Sequence, residues 1–590
     1  MVTSAYMSLW FALKNSTHRL CIVSYVFLCI ALGACPGGYH PVTLFLALLG
    51  FGTLVVALFR ANTEPVSEHQ NQPPLIEYVC LCSLGILGII KLPADVDNQF
   101  YLATFRCIGV LLIFLVVLHS SVTIEWRRRL LIIILLIKFS MLIFGVLVVQ
   151  RPMIDVWQLQ QSAIDFVLQG KNPYLLPVED IYDGRSAYGH QAHYSYAPLN
   201  LIMSIPSKWL LGDYRFGLIA SLGLSLMLFR RCGRLMFVPS WRIDLWTLAF
   251  VLHPNLDRLM IHGWLEPYMI LFFSFFVYFW LKHKNEYLPT VFLALMPLLK
   301  QYFAVPLLLY LLILRPRLRT IAVASLFATV VLSPLFLWNA RTVVQQGLLF
   351  FIRHVSFRPD SLSVTAAIYA WTGYRAGVTA ALATQLVVGL AATYLSSKKT
   401  ELIPRMKRFL LISSLSMFAS FLAAPQSFIN YYFFVGWLLL WSGLSHSAST
   451  TETSSQNHDT LGYRTAAQLA GVLVVLGAAA WGLSSVLYFH YLCPMAERRT
   501  SLSQPVLADG PLRALATERI LVCRLRHCFG PLCHADVRCV CADRTKSPLA
   551  VANEFGGFGA EAATCLVDNE TASTEDKTGL CWLARCHEQR

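Results

Sequence analysis

Residues 127–155 read RRRLLIIILLIKFSMLIFGVLVVQRPMID, and the reading of this stretch decides the fold. Three arginines open it, an apolar run over 129–149 follows, and Asp155 stands just past the far end. A helix needs roughly 20 apolar residues to cross the hydrocarbon core, and a basic cluster at one end marks that end as cytoplasmic. Runs of the same kind recur at 20–36, 41–59, 76–92, 100–119, 196–211, 213–229, 243–254, 264–281, 287–314, 320–338, 362–396, 409–424, 429–445 and 466–490. Several are short for a simple span, so tilted, re-entrant or merged segments are expected among about 11 to 14 crossings. The expected fold class is all-α, a polytopic helical membrane protein.

Composition points the same way. Of the 590 residues 56% are hydrophobic and only 13% charged, with a mean hydropathy of +0.57. Soluble chains keep roughly a quarter of their residues charged. The net charge of +15 comes from short basic clusters between apolar runs. That is the pattern of cytoplasmic loops and argues against nucleic acid as a partner. Five clusters agree on one orientation: Arg127–Arg129; Arg230, Arg231 and Arg234; Lys282 and Lys284; Arg315, Arg317 and Arg319; and the group from Lys398 to Arg408. The loops at 150–195, 253–266 and 339–361 and the turn near 425–430 then face outward, with one crossing plus a partial helix expected in 362–396. Lys14, His18 and Arg19 imitate a signal peptide, and Leu32–Cys35 a lipoprotein cleavage box. A second apolar run, Val42–Phe59, follows at once, so a helical hairpin is expected there instead.

The chain divides into N-terminal helices (1–128), a membrane core (129–445), a flexible polar loop (446–463), a last helix (464–490) and a tail (491–590). Seven of the sixteen cysteines lie in the apolar segments as small hydrophobes, and nine lie in the tail. The tail spacing fits no zinc template, so a disordered extension is expected there. Asn15 and Asn569 open glycosylation sequons, relevant only on a luminal face.

The longest outward loop carries the functional argument. At the mouth of a span, Asp155 has two readings, a general base whose pKa desolvation can raise or an interfacial residue that ends a helix. From Val156 to Gly170 apolar residues fall at spacings of three and four, which suits a surface helix with one face in lipid. Gly170 can end it and Asn172-Pro173 bars its continuation. Tyr174 follows, then a polar stretch, then Tyr196-Ala197-Pro198-Leu199.

Together Asp155, Gly170-Lys171-Asn172-Pro173-Tyr174 and Tyr196-Ala197-Pro198-Leu199 resemble the first outer loop of glycosyltransferase family 87, in the GT-C superfamily. The resemblance covers about residues 129–440, with its distinctive motifs confined to some forty-five residues. It implies a multi-helix glycosyltransferase with a polyprenyl-phosphate sugar, typically mannose, as donor and a lipid or glycan as acceptor. It also implies Asp155 as catalytic base. The four helices before that aspartate depart from the family pattern, in which the base usually follows the first span.

Other polar residues fall on the outward side. Glu266 opens a strongly apolar helix, where a carboxylate is either functional or simply favoured by the helix dipole. His262 and His253 lack a metal-ligand spacing, and no metal or cofactor is expected beyond the lipid-linked donor. Lys300 lies at the tip of 287–314 if that stretch is a hairpin, and a lysine there suits a phosphate. Arg341, Arg353 and Arg358 are out of place in an outward loop unless they meet an anion such as lipid phosphate, a headgroup or Asp360. Gln426, Asn430 and Tyr431 offer contacts to sugar hydroxyls. The substrate-binding set expected is Tyr174, Tyr196, His262, Glu266, Lys300, Arg353 and Arg358, surrounded by membrane lipids. The host decides between the cell membrane (bacterial) and the endoplasmic reticulum (eukaryotic). No nucleotide-binding motif is present. A transporter or lipid-linked sugar flippase is the competing reading, and would carry paired broken helices in two halves.

Overall fold

A computed structural model describes residues 17–34, 39–61, 75–90, 99–175, 177–178, 193–282, 286–350, 357–397 and 405–447, with three short strands in the last hundred. The expected loop at 446–463 (past Ser447), the expected helix at 464–490 and Arg353 lie outside the described residues. The chain falls into two compact units, Met1–Pro494 and Met495–Arg590.

The first unit is helical throughout its described elements. Four helices precede the arginine cluster: α1 (Thr17–Ala34), α2 (Pro41–Ala61), α3 (Leu75–Ile90) and α4 (Gln99–Ser121). The stretch quoted above forms α5 (Ile124–Val148), followed by α6 (Asp155–Leu168), α7 (Pro198–Leu211), α8 (Arg215–Leu235), α9 (Ser240–Val251), α10 (Leu256–Ile261) and α11 (Glu266–Lys282). Next come α12 (Tyr287–Leu295), α13 (Ala304–Ile313), α14 (Leu318–Thr342), α15 (Val364–Thr372), α16 (Val378–Ser397), α17 (Arg405–Leu422) and α18 (Ile429–His446). Six helices are long and apolar enough to cross a membrane, α2, α4, α5, α8, α14 and α16, the last two with hydropathies of 2.2 and 1.6. The chain is a helical membrane protein in this sense.

The core is built around α18, whose residues from Tyr432 to Ser445 are all buried. Apolar side chains all round a helix leave no face for water, so it seeks the centre of the bundle. Trp437 and Trp441 pack on Phe229 of α8 at 5.1 and 4.8 Å, and Ser442 meets Ser414 of α17 at 2.9 Å. In lipid the hydrophobic effect does not separate helix from tail, so such interdigitation and interhelical hydrogen bonds hold the bundle together.

The N-terminal helices are part of that core. Tyr25 Oη on α1 donates to Ala249 O at 2.9 Å, and Asn255 Nδ2 donates to Leu32 O at 3.1 Å. Beyond α1, the backbone of Tyr39 donates to Asp360 O at 2.8 Å, beside the outward loop that holds Arg358.

Three expectations change. The end of the bundle away from Arg127–Arg129 is called outer here. First, 196–211 is not a span: α7 has 14 residues with Pro206 inside, and both its ends are tied to the outer side. Asn200 Nδ2 donates to Leu299 O at 2.6 Å, Lys208 pairs with Asp165 at 3.3 Å, and Gly212 turns the chain into α8. Only α8 then leads back to the Arg230 cluster. Second, α6 does not turn its apolar face to lipid. Leu159, Ala163 and Ile164 are buried within the chain, because α7 lies alongside and takes up that face. Third, 253–266 is not an open outward loop. His253-Pro254-Asn255 breaks a crossing into α9 and α10, and the break is buried. Proline cannot donate and disfavours helix at the residue before it, which fixes the break at this point. Asp257 consequently meets Lys138, midway along α5, at 2.5 Å.

The second unit holds an antiparallel sheet in which β1 (Ile520–Arg524) pairs with β2 (Arg538–Ala542) and β3 (Ala563–Cys565). Cys523 and Cys539 stand opposite each other in the register. Ile520-Leu521-Val522 and Val540 are strand formers, and the rest of the tail expected at 491–590 lies outside the described residues.

Candidate functional site

Asp155 is the first residue of α6, its Oδ1 accepting from Val156 N at 2.8 Å. At the other end Gly170, at φ +72°, takes the left-handed conformation that closes a helix, and Lys171 N donates back to Phe166 O at 2.8 Å. Asn172 Oδ1 then accepts from Tyr174 N at 2.9 Å, an Asx turn that points the chain inward.

The two motif elements after Asp155 join physically. Tyr174 Oη donates to Tyr196 O at 3.1 Å, and the Tyr194 ring lies between them, 5.3 and 5.8 Å from theirs. Pro177 and His193 form an isolated antiparallel bridge that closes the loop between them. Tyr194 Oη donates to Gln160 Oε1 at 2.8 Å, and Gln160 Nε2 donates to Asn200 O and to Ser204 Oγ at 3.1 and 2.9 Å. This network anchors α6 to α7 and so fixes the direction in which Asp155 leaves its span. Pro198 sits in the first turn of α7, where its missing N–H costs nothing.

Lys300 lies between two short 3₁₀ turns, Met296–Leu298 and Gln301–Phe303, at the tip of the α12–α13 hairpin. Thr290 and Tyr310 close that hairpin with a 2.6 Å hydroxyl contact. The ammonium of Lys300 stands 5.4 Å from the Tyr196 ring centre, 5.7 Å from that of Tyr431 and 3.4 Å from Glu266 Oε1. Glu266, the first residue of α11, is fully buried. Asn430 Nδ2 donates to its Oε1 at 2.9 Å, and among the described residues Oε2 is buried without a hydrogen-bond partner. A buried carboxylate oxygen left without a donor is costly, of order 1–3 kcal/mol.

Arg358 stands in the segment that leads into α15. Its guanidinium forms a two-pronged bond to Asp360 at 2.8 Å on each arm and covers the Phe428 ring at 4.8 Å, while its backbone N donates to Pro425 O at 2.9 Å. The Tyr196 phenol is pushed well above its usual range by burial, with the Asp155 carboxylate adding to it. It therefore stays a neutral hydroxyl next to the aspartate.

Of the expected residues, Tyr196, Glu266 and Lys300 come into direct contact, Asp155 acts on the Tyr196 phenol through its charge, and Arg358 is held by Asp360. Tyr174 lies one layer behind, holding the Tyr196 backbone. His262 ends α10 and packs on Trp264 at 5.3 Å, on the approach to Glu266. The next residue, Gly263, has φ +68° and lets Tyr214 Oη donate to its carbonyl at 2.6 Å, an approach that a β-carbon would block. Arg353 falls outside the described residues. Among the described residues no three of His, Cys, Asp and Glu gather as a metal-ligand set.

Tyr302 is part of the site although its sequence gives no sign of it. Its ring is 5.7 Å from that of Tyr431, and its hydroxyl donates to Met269 Sδ at 3.3 Å. The Lys138–Asp257 pair could have been read from the sequence, since a lone lysine in a long apolar run needs an anion from elsewhere. No family model, curated protein or solved structure matches the chain.

Proposed function

We propose that the chain is a membrane glycosyltransferase of GT-C type that moves a hexose, typically mannose, from a polyprenyl-phosphate donor to a lipid or glycan acceptor on the outer face. The observation that carries this reading is the placement of the buried Lys300 against the Glu266 carboxylate and the Tyr196 and Tyr431 rings.

In this reading an acceptor hydroxyl attacks the anomeric carbon, and the bond from that carbon to the phosphate oxygen breaks, its electron pair staying with the lipid phosphate. The hydroxyl proton passes to Asp155 and later to water. Lys300, held among the described residues by one carboxylate and two ring faces, supplies positive charge where the phosphate gains it. Glu266 aims that lysine, and Asn430 holds Glu266 in turn. Arg358 is the second cation on the same side.

Purified full-length chain in nanodiscs, given a radiolabelled mannosyl polyprenyl phosphate and a lipid extract as acceptor, tests the reading. Transfer is expected, and Asp155→Asn should lower its rate by roughly 10²–10⁴, the usual contribution of a general base. Transfer that survives this substitution unchanged would remove Asp155 from the mechanism.

A second reading, a carrier or lipid-linked sugar flippase, draws on the broken α9–α10 crossing and its buried Lys138–Asp257 pair. Vesicles that flip a fluorescent lipid-linked sugar with the wild type but not with Lys138→Met, and show no transfer, would favour it.

A further inference from the structure

The break between α9 and α10 borders a cavity of about 20 Å³, distinct from the site around Lys300. Gly85 and Gly88 of α3 and Gly109 of α4 leave the space open, and Lys138, His253 and Asp257 line it as well. All three polar residues are more than nine-tenths buried.

The hydrogen bonds around the cavity show what it accepts. His253 Nδ1 takes the backbone N–H of Asn255 at 3.2 Å, so the ring proton of the neutral imidazole sits on Nε2. Among the described residues that N–H is buried without a hydrogen-bond partner. Asp257 has its Oδ2 on Lys138 at 2.5 Å, while its Oδ1 is likewise buried without a partner among them. Edge contacts with Phe433 at 4.8 Å and Tyr25 at 6.1 Å fix the plane of the His253 ring. A donor and an acceptor therefore border one small space, beside a charge pair that is already balanced. A cation here would meet the Lys138 ammonium, and an anion the Asp257 carboxylate. The ligand that fits is neutral, both donates and accepts, and is no larger than water. A buried water needs roughly 10–15 Å³ and about three polar partners, and this cavity offers both.

We propose that the cavity is a binding site for one ordered water, which accepts from His253 Nε2, donates to Asp257 Oδ1 and has the Lys138 ammonium beside it. The water makes the break a hydrated joint inside the bundle, where lipid can satisfy no polar group. From this joint α10 leads through Gly263 to Glu266, so the joint bears on where that carboxylate stands. The inference does not depend on the transferase reading.

X-ray footprinting of the full chain in nanodiscs tests it. Radiolysis turns a water beside a side chain into hydroxyl radical, which marks methionine as its sulfoxide, read by mass spectrometry. Met141 lines the cavity and is 4% exposed. It should be marked, with Met153, 70% exposed, as the marked control and the fully buried Met417 of α17 as the silent one. Gly88→Ala sets a methyl in ordinary contact, 3.4 Å from Pro254 Cα, and favours its helix, so it should fill the space and remove the mark without unfolding the chain. His253→Phe keeps a ring and removes the donor, with the same loss expected. The wild-type comparison decides alone if a variant fails to fold. Met141 as silent as Met417 in the wild type, or a mark that neither variant reduces, overturns the proposal. So does a melting transition that shifts on exchange of sodium for potassium, or of chloride for gluconate, in the wild type but not in Gly88→Ala, because the occupant is then an ion.

Discussion

Arg215 and Lys300 are two buried cations near the outer end of the same bundle, and they are held in opposite ways. The guanidinium of Arg215 bonds Asp213 through Nε and NH2 at 3.0 and 2.7 Å and Ile261 O through NH1 at 2.7 Å. It also reaches Val146 O and Gln150 O at 3.4 and 3.3 Å, so every nitrogen it has is engaged. Among the described residues Lys300 has one carboxylate oxygen at 3.4 Å and two aromatic faces, and the carboxylate opposite keeps an oxygen without a hydrogen-bond partner. A fully bonded cation joins α5, α6, α8 and α10 together. A partly bonded one, facing an under-bonded carboxylate, leaves capacity for something outside the chain. Burial and charge do not separate the two cations; the hydrogen-bonding capacity left unfilled among the described residues does.

The largest effect expected from breaking this contrast is on folding. Replacing both members of the first pair, Arg215→Met with Asp213→Asn, leaves no stray charge but takes the donor from three carbonyls. Stability should fall by roughly 3–5 kcal/mol, read as an earlier melting transition in detergent. The matching double change in the second pair, Lys300→Met with Glu266→Gln, should leave melting nearly unaltered and cut transfer by roughly 10²–10³, the usual cost of one charge-stabilising group. Equal melting losses in the two doubles would erase the distinction.

Smaller effects sharpen it. Arg358→Lys keeps the charge and loses the two-pronged grip on Asp360, so transfer should drop about tenfold, mainly through KM for the donor. Tyr196→Phe keeps the ring face under Lys300 and removes one hydroxyl. A loss of only a few-fold is expected, on the scale of a neutral hydrogen bond.

Much of this arrangement could be read from local sequence, because local physics decides it. Apolar length and basic clusters give the helices from α1 to α5. Spacing and Gly170 give α6, Glu266 opens α11, and the apolar flanks of Lys300 place it at a hairpin tip. What escaped is set by contacts across long stretches of chain. Asn430 reaches Glu266 from 164 residues away. The apolar run at 196–211 has a span's composition, and only its bonds to Leu299 and Asp165 show that it lies flat. The apolar face of α6 is equally compatible with lipid or with a neighbouring helix, and periodicity cannot choose between them.

The most direct measurement is a cryo-electron microscopy map of the full chain with a non-transferable polyprenyl-phosphate sugar analogue. A phosphate oxygen should lie within roughly 4 Å of Lys300 Nζ, the reach of an ion pair, with the sugar's anomeric carbon turned toward Asp155. A phosphate bound elsewhere, with Lys300 still closed on Glu266, would contradict the proposed site.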